Sequence, residues 1–463
     1  MQILPRSSFV TWGSRVATSR WPQATRLHRP IALLSAFHTT PGWAQTKPPV
    51  SSTNPLTPLF SVVPNPAGEE GFWVDLESHG VSRPPPAYRG GSPLMYKRMG
   101  DSYCEFVLPF RDHPELLDNY INVHGTIRVG RVLEELDKLA GAVAYRHCAD
   151  AYNRTPPLTI VTASVDRIEL REDISSDKNY KFSGKVCQVG SSSMEIYLKM
   201  ESLKGDSRSQ VQDLILVAHF TMVARDRETQ KAIKVNPLFM QTPREHKIAD
   251  IASSIRTQRI ERRQKALTLV PPSAAERQLM HRLYLESLQY TDQRFDKQHK
   301  PEHIVWSDEA ILESVTLTMP QDRNVHHKIF GGYLMRLALE LAYAQASLFA
   351  KRSPKVLAID DITFKKPVPI GSVLYLTSQV TYSSGLPNGS YEISVTADVI
   401  HPSAGVRETT NVFHLTFKGP EGAQAPRILP RTYADLMRYI DANRRYEQHK
   451  DEFTLPQVFV EDL

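Results

Sequence analysis

The sequence predicts an α+β chain made of two copies of one unit, each a long buried helix wrapped by a roughly five-stranded antiparallel sheet. Three observations carry that expectation. Residues 333–350 form a nearly unbroken run of apolar helix formers in which only Arg336, Glu340, Gln345 and Ser347 are polar. A helix apolar almost all round is a buried helix. Asn122-Val123-His124 precedes Gly130 by the spacing with which Asn324-Val325-His326 precedes Gly332, and the two stretches align without a gap as far as Ala142 and Ala344. That is the mark of an internal repeat. After each stretch come four segments rich in Val, Ile, Thr, Tyr and Phe, of strand length.

The elements follow in order. Residues 1–45 read as a mitochondrial presequence: Arg6, Arg15, Arg20, Arg26 and Arg29 are interleaved with Ser and Thr, and the first acidic residue is Glu69. Residues 46–94 are a Pro/Ser/Gly-rich linker. The first unit, 95–240, has a strand at 102–109, a turn at Asn122 and a helix at 128–149. Strands are expected at 158–170, 179–189, 193–201 and 213–225. Residues 241–300 form a charged helical connector broken by Pro271-Pro272, with a second helix at 274–289. Such a run is usually a solvated face. The second unit, 301–430, repeats the order with a strand at 311–318 and a helix at 330–351. Lys351 and Arg352 at that helix's end have the sign its dipole favours. Strands follow at 355–365, 372–383, 390–400 and 406–418, and residues 431–463 make a C-terminal helix and tail.

Composition narrows the function. The 463 residues suggest two or three domains. The net charge of +6 sits largely in the leader and connector. No tract pairs basic residues with a regular aromatic platform, so nucleic acid is not an expected partner. Arg336 and Glu340 in the middle of the apolar helix argue against a membrane span. Cys104, Cys148 and Cys187 have no CxxC or His-rich spacing, so neither a metal nor a disulfide framework is expected.

Gly331 and Gly332 at the helix start have two readings. Backbone N–H groups there are free and favour negative charge, and without side chains a substrate carbonyl could approach them as in an oxyanion hole. Alternatively, the glycines could merely permit tight helix–sheet packing.

The pattern Asn324-x-His326-(x)4-Gly331-Gly332-x-Leu334-Met335, followed by a buried helix and strands, resembles the hotdog-fold acyl-CoA thioesterases. The likeness is to the mitochondrial kind with two tandem hotdog domains, and the run from Arg128 through Asp137 to Gly141 fits their first repeat. It covers roughly residues 95–420. The resemblance implies hydrolysis of acyl-CoA, a homo-oligomer of three double-hotdog chains and a mitochondrial, matrix location. No cofactor is implied, since coenzyme A is part of the substrate. The segment 359–371 resembles the strand and loop after the family's helix, where Lys365 and Lys366 could meet a CoA phosphate, although two lysines at a strand end are ordinarily plain surface.

Thioester hydrolysis needs water, a base or nucleophile, and donors for the oxyanion. No Gly-x-Ser-x-Gly elbow is present, which leaves a carboxylate. Asp137, seven residues after Gly130, falls with Leu133 and Gly141 on an apolar or small face, whereas Glu134 and Glu135 read as solvated acids. The residues alone leave Asp137 open between a surface acid and a catalytic one. The resemblance tips this, because it packs the two helices antiparallel and sets Asn324 and the Gly331 and Gly332 amides against Asp137. The mirror site would pair Asn122 and Gly130 with position 339, a leucine, with Glu340 one residue on, which implies a degenerate second site. His326 and His327 could orient substrate or cap the turn. Two other classes stay open: a hotdog enoyl-CoA hydratase or dehydratase, which Arg336 and Leu337 disfavour, and a non-catalytic acyl-CoA binder, which an Asp137 pointing to solvent would favour.

Overall fold

Twelve strands of the chain form one sheet, and the long helix of each repeat shares its hydrophobic core. The computed structural model describes residues 94–449 apart from 123, 150–157, 206–209, 292–298, 323–328, 361, 386–388, 402–404, 421 and 423. The expected presequence, residues 1–45, lies outside them, as does the linker up to residue 93.

The first half runs β1 (Cys104–Leu108), α1 (Val129–Cys148), β2 (Leu158–Val165), β3 (Ile168–Leu170), β4 (Tyr180–Val189), β5 (Ser193–Leu203) and β6 (Val211–Asp226). Connector helices α2 (Pro243–Gln264) and α3 (Ala274–Thr291) follow. The second half runs β7 (Ile311–Leu317), α4 (Gly331–Ala350), β8 (Lys355–Ile359), β9 (Ile362–Thr363), β10 (Val373–Ser383), β11 (Ser390–His401) and β12 (Val406–Lys418), and α5 (Tyr433–His449) closes the described chain. The sheet order is β7-β10-β11-β12-β8-β3-β6-β5-β4-β1, with β2 beside both β6 and β9.

The halves join edge to edge. Ala358 and Ile359 lie opposite Glu169 and Ile168, and Ile362 and Thr363 lie opposite Val165 and Ser164, all antiparallel. Both pairings share one register, which puts residues 166, 167 and 360 at a local two-fold axis. Here the strands expected over 158–170 and 355–365 are each interrupted. Charged side chains meet at the interruption: Asp166 accepts from Arg259 Nη1 at 2.7 Å, and Arg167 crosses the seam to pair with Asp360.

Strand alternation sends one side chain inward and the next outward. Ile196, Leu198 and Met200 pack with the α1 core, while Tyr197 and Val217 meet Ile248, Ala249 and Ala252 of α2 on the outer face. Helix α2 starts at a capping box, with Thr242 and Glu245 exchanging bonds around Pro243. It is not simply the solvated helix that its charge suggests. Arg259 is buried and donates to Ser164, Asp166, Thr221 and Glu195, so its desolvated guanidinium meets acceptors on several sides.

The second half repeats this device. Arg445 of α5 grips buried Glu392 through Nη2 to Oε1 at 2.7 Å and Nε to Oε2 at 2.9 Å. Glu195 lies opposite Thr221 and Glu392 opposite Thr416, so the two glutamates are structural equivalents. Short parallel ladders also bracket each half: Lys97–Arg98 with Leu238–Phe239, and Ile304–Trp306 with Arg427–Leu429. No helix among the described residues is long and apolar enough to cross a membrane.

Candidate active site

Two glycines let the long helices touch. A Cβ on Gly332 would sit 2.8 Å from Glu134 Cα, and one on Gly130 would sit 2.9 Å from Arg336 Cγ. Contacts fall in reverse order along the two helices, residue 130 near 336 and residue 134 near 332, so α1 and α4 run antiparallel. The glycines do serve packing, but of helix on helix rather than of helix on sheet. That packing does not compete with a chemical reading, because close approach brings the start of α4 onto the carboxylate of Asp137.

That carboxylate is 1 % exposed. Its Oδ2 accepts the Gly332 backbone N–H at 2.6 Å, and its Oδ1 accepts the Thr162 hydroxyl at 2.8 Å. Burial is the main influence on it and pushes its pKa up to about 6, the nearby Glu134 adding to the rise. The Thr162 hydroxyl, the Gly332 N–H and Lys138 pull the other way. Desolvation prevails because the two donors replace only part of the lost hydration. A carboxylate titrating near neutrality is matched to proton transfer at physiological pH.

The Gly332 N–H that an oxyanion would use is thus held by Asp137. A Cβ on Gly331 would fall 2.9 Å from Asp137 Oδ2 and 3.4 Å from Phe364 Cζ. Phe364, from the strand–loop after β9, therefore reaches the same place, tied in by its N–H to Ala163 O at 3.0 Å. Thr162 and Phe364 escaped the sequence reading: a strand threonine and a phenylalanine beside two lysines carry no distinguishing spacing.

Asn324, His326 and His327 lie outside the described residues. The flanks of their segment are tied by Ile329 N–H to Val368 O at 3.1 Å and Phe330 N–H to Asp322 O at 3.4 Å. Lys365 and Lys366 follow Phe364 and are exposed, Lys366 pairing with Glu408.

The mirror position is different. Asn122 closes its own turn, its Nδ2 donating to Thr126 Oγ1 at 2.7 Å and its Oδ1 accepting from the His124 and Thr126 amides. Leu339 is buried, and Glu340 pairs with Arg128 and, at 3.2 Å, with Arg336. Gly130 lies against Arg336 rather than a carboxylate.

Glu134 and Glu135 are not solvated, at 7 % and 3 % exposed. A run of acids beside lysine suggests a water-facing helix, but a helix flanked by a second helix has two covered sides. Glu134 meets Arg336 at 2.7 Å and Arg131 at 2.8 Å, while Glu135 accepts from Tyr120 at 3.0 Å and Lys138 at 2.9 Å. Among the described residues no group of three His, Cys, Asp or Glu is placed to hold a metal.

No protein-family model matches the chain. Among curated proteins it is 38 % identical to human "Acyl-coenzyme A thioesterase 9, mitochondrial" over 365 residues, covering 79 % of this chain and 81 % of that one. It is 37 % identical to mouse "Acyl-coenzyme A thioesterase 10, mitochondrial", covering 78 % and 81 %. To "Acyl-coenzyme A thioesterase 2, chloroplastic" of Humulus lupulus it is 32 % identical, covering 76 % and 81 %. The long shared span takes in both halves and the buried helix pair, and the chain belongs to the acyl-coenzyme A thioesterase family.

Proposed function

We propose that the chain hydrolyses fatty acyl-CoA to free fatty acid and CoA at one site drawn from both repeats. The observation that carries this reading is the buried Asp137 of the first half receiving the N–H of Gly332 of the second half at 2.6 Å. Asp137 takes a proton from water as the water oxygen attacks the thioester carbonyl. The C–S bond then breaks, and the departing CoA thiolate recovers the proton from Asp137. Protonation of Asp137 weakens it as an acceptor at the moment the oxyanion gains charge, so the Gly332 N–H can be shared with an oxygen placed beside Oδ2, next to the Gly331 amide. Asn324 orients the water or the thioester from the opposite repeat, and His326 or His327 orients the substrate. Lys365 and Lys366 offer cations to the CoA phosphates. Water and a carboxylate supply the chemistry, so no cofactor is required.

The mirror site lacks an acid at Leu339 and is degenerate, leaving Asn122, Gly130 and Glu340 with structural work. Each repeat is one hotdog domain, 95–240 and 301–430. Three chains associate, a reading supported by the edge strand β7, whose Ile311, Val315 and Leu317 are exposed. The relatives named for mitochondria and the acid-free leader support a mitochondrial, matrix location. A thiol-release screen across acyl-CoA chain lengths tests the reaction. Release that is lost in a folded Asp137→Asn protein is expected, and full release in that variant rejects the base.

A further inference from the structure

Glu134 and Arg336 occupy the same place in the two repeats. The alignment that matches Gly130 to Gly332 matches residue 134 to residue 336, and these two side chains meet, Arg336 Nε donating to Glu134 Oε1 at 2.7 Å. A residue that touches its own counterpart lies on the local two-fold axis. In a pair of identical units it would face a copy of itself, and two like charges in so covered a place would repel. One chain holding both units escapes that restriction, and the axis carries opposite charges.

The pair extends at both ends. Arg131 Nη1 reaches Glu134 Oε2 at 2.8 Å, Arg336 Nη1 reaches Glu340 Oε2 at 3.2 Å, and Arg128 comes from the start of α1 to Glu340. The signs alternate along the whole series, which passes between the helices twice. Arg336 is also seated sterically, its Cγ filling the notch left by Gly130.

On α1 the pair lies one turn before Asp137, and on α4 one turn after Gly332. We propose that Glu134 and Arg336 are positioning residues, whose contact fixes the slide and rotation of α4 against α1 and so holds the Gly332 N–H on the Asp137 carboxylate. This rests on Asp137 being the base. Among the described residues, the groups that face Asp137 are Glu134 and Lys138 on its own helix, the Thr162 hydroxyl from β2 and the Gly332 N–H from α4. Arg336 acts through Glu134 and the helix it belongs to.

The test is thiol-release kcat and KM against pH for Arg336→Met, Glu134→Gln, the reversals Arg336→Glu and Glu134→Arg, and the double reversal, with Asp137→Asn alongside. Arg336→Met should lower kcat about 10- to 100-fold, the scale of a small misplacement, with KM nearly unchanged. Its acid limb should move to higher pH, because a Glu134 left with Arg131 alone and a loosened N–H both disfavour the Asp137 carboxylate. Glu134→Gln keeps an amide oxygen for Arg336, and so the contact, but loses the charge, and should move that limb to lower pH. The double reversal should recover part of what each reversal loses, because it restores opposite charges across the axis while setting like charges beside Arg131 and Glu340. A pair with only structural work would lower kcat without opposite pH shifts, and that result overturns the proposal, as does a double reversal no better than the singles. Activity lost in Asp137→Asn with an unmoved Arg336→Met profile rejects the positioning role alone, whereas full activity in Asp137→Asn rejects the base itself. Should Arg336→Met fail to fold, Arg336→Lys, which keeps the charge without the fork, should show the same direction of shift at smaller size.

Discussion

Replacing Gly332 by alanine tests how tightly the helix crossing and the carboxylate contact are linked. The new Cβ would meet Glu134 Cα and Phe330 Cε1 at 2.8 Å and Asp137 Cβ at 3.2 Å. Ordinary contact begins near 3.4 Å, so α4 must withdraw from α1 by about half an ångström or more. Overpacking of this kind costs about 1–3 kcal/mol. Alanine returns at most about 1 kcal/mol of helix propensity, and the charge-assisted bond from the Gly332 N–H, in a class worth about 1.5–3 kcal/mol, is weakened. The net expectation is a loss of about 1–3 kcal/mol together with a fall in turnover. Gly141 of α1 is the control, because a Cβ there meets nothing within 4 Å. Gly141→Ala should stabilise by about 0.5–1 kcal/mol and leave turnover alone. Denaturant titration with thiol release on the same samples reads both quantities. A Gly332→Ala protein as stable and as active as its parent would refute the close-approach argument.

Three further outcomes are expected. Asp137 has a folded pKa of about 6 against an ordinary 3.8, so the native state binds more protons between those values, and stability falls as pH rises through that window. Asp137→Asn should therefore be more stable than its parent at pH 7, by up to about 3 kcal/mol, with the advantage shrinking toward pH 4; equal stability at both pH values would contradict the burial effect. Thr162→Val removes a donor to the carboxylate, so the acid limb of kcat should move upward in a pH–rate profile. Arg445→Met would take the guanidinium from the buried Glu392 and leave it Thr381 and His414; against the effect of burial, Arg445 and His414 now hold its carboxyl far below the usual carboxylate range. That loss should cost about 3–5 kcal/mol by denaturant titration, while the activity of each folded molecule stays intact.

Much of this architecture is legible in the sequence because it rests on local pattern. The apolar run of α4 and its match to α1 across Gly130 and Gly332 give the duplication, and β-rich segments give the strands to within a few residues. The interruptions at Asp166 and Asp360 are not legible, since they depend on one half meeting the other. The same holds for Glu134 and Glu135, whose sequence neighbours suggest water while their spatial neighbours are arginine, lysine and tyrosine. Asp137 stands out only through its distance from Gly130. Thr162 comes from strand β2 rather than from α1, and nothing local ties it to that carboxylate. Arg259 and Arg445 belong to helices that follow each repeat, and their equivalence emerges only when Glu195 and Glu392 are seen opposite matching threonines.

A double-mutant cycle on Asp137 and Asn324 is the most direct test of a single site built from both repeats. Asp137→Asn should lower turnover by about 10²–10⁴, the range for a positioned acid–base group, and Asn324→Ala should lower it too. Because both act on one transition state, their combined loss should be smaller than the product of the single losses. Asn122→Ala and Glu340→Gln should matter much less. Strictly multiplicative losses, or equal losses from the mirror residues, would contradict the one-site reading, and full turnover in a folded Asp137→Asn protein would reject it.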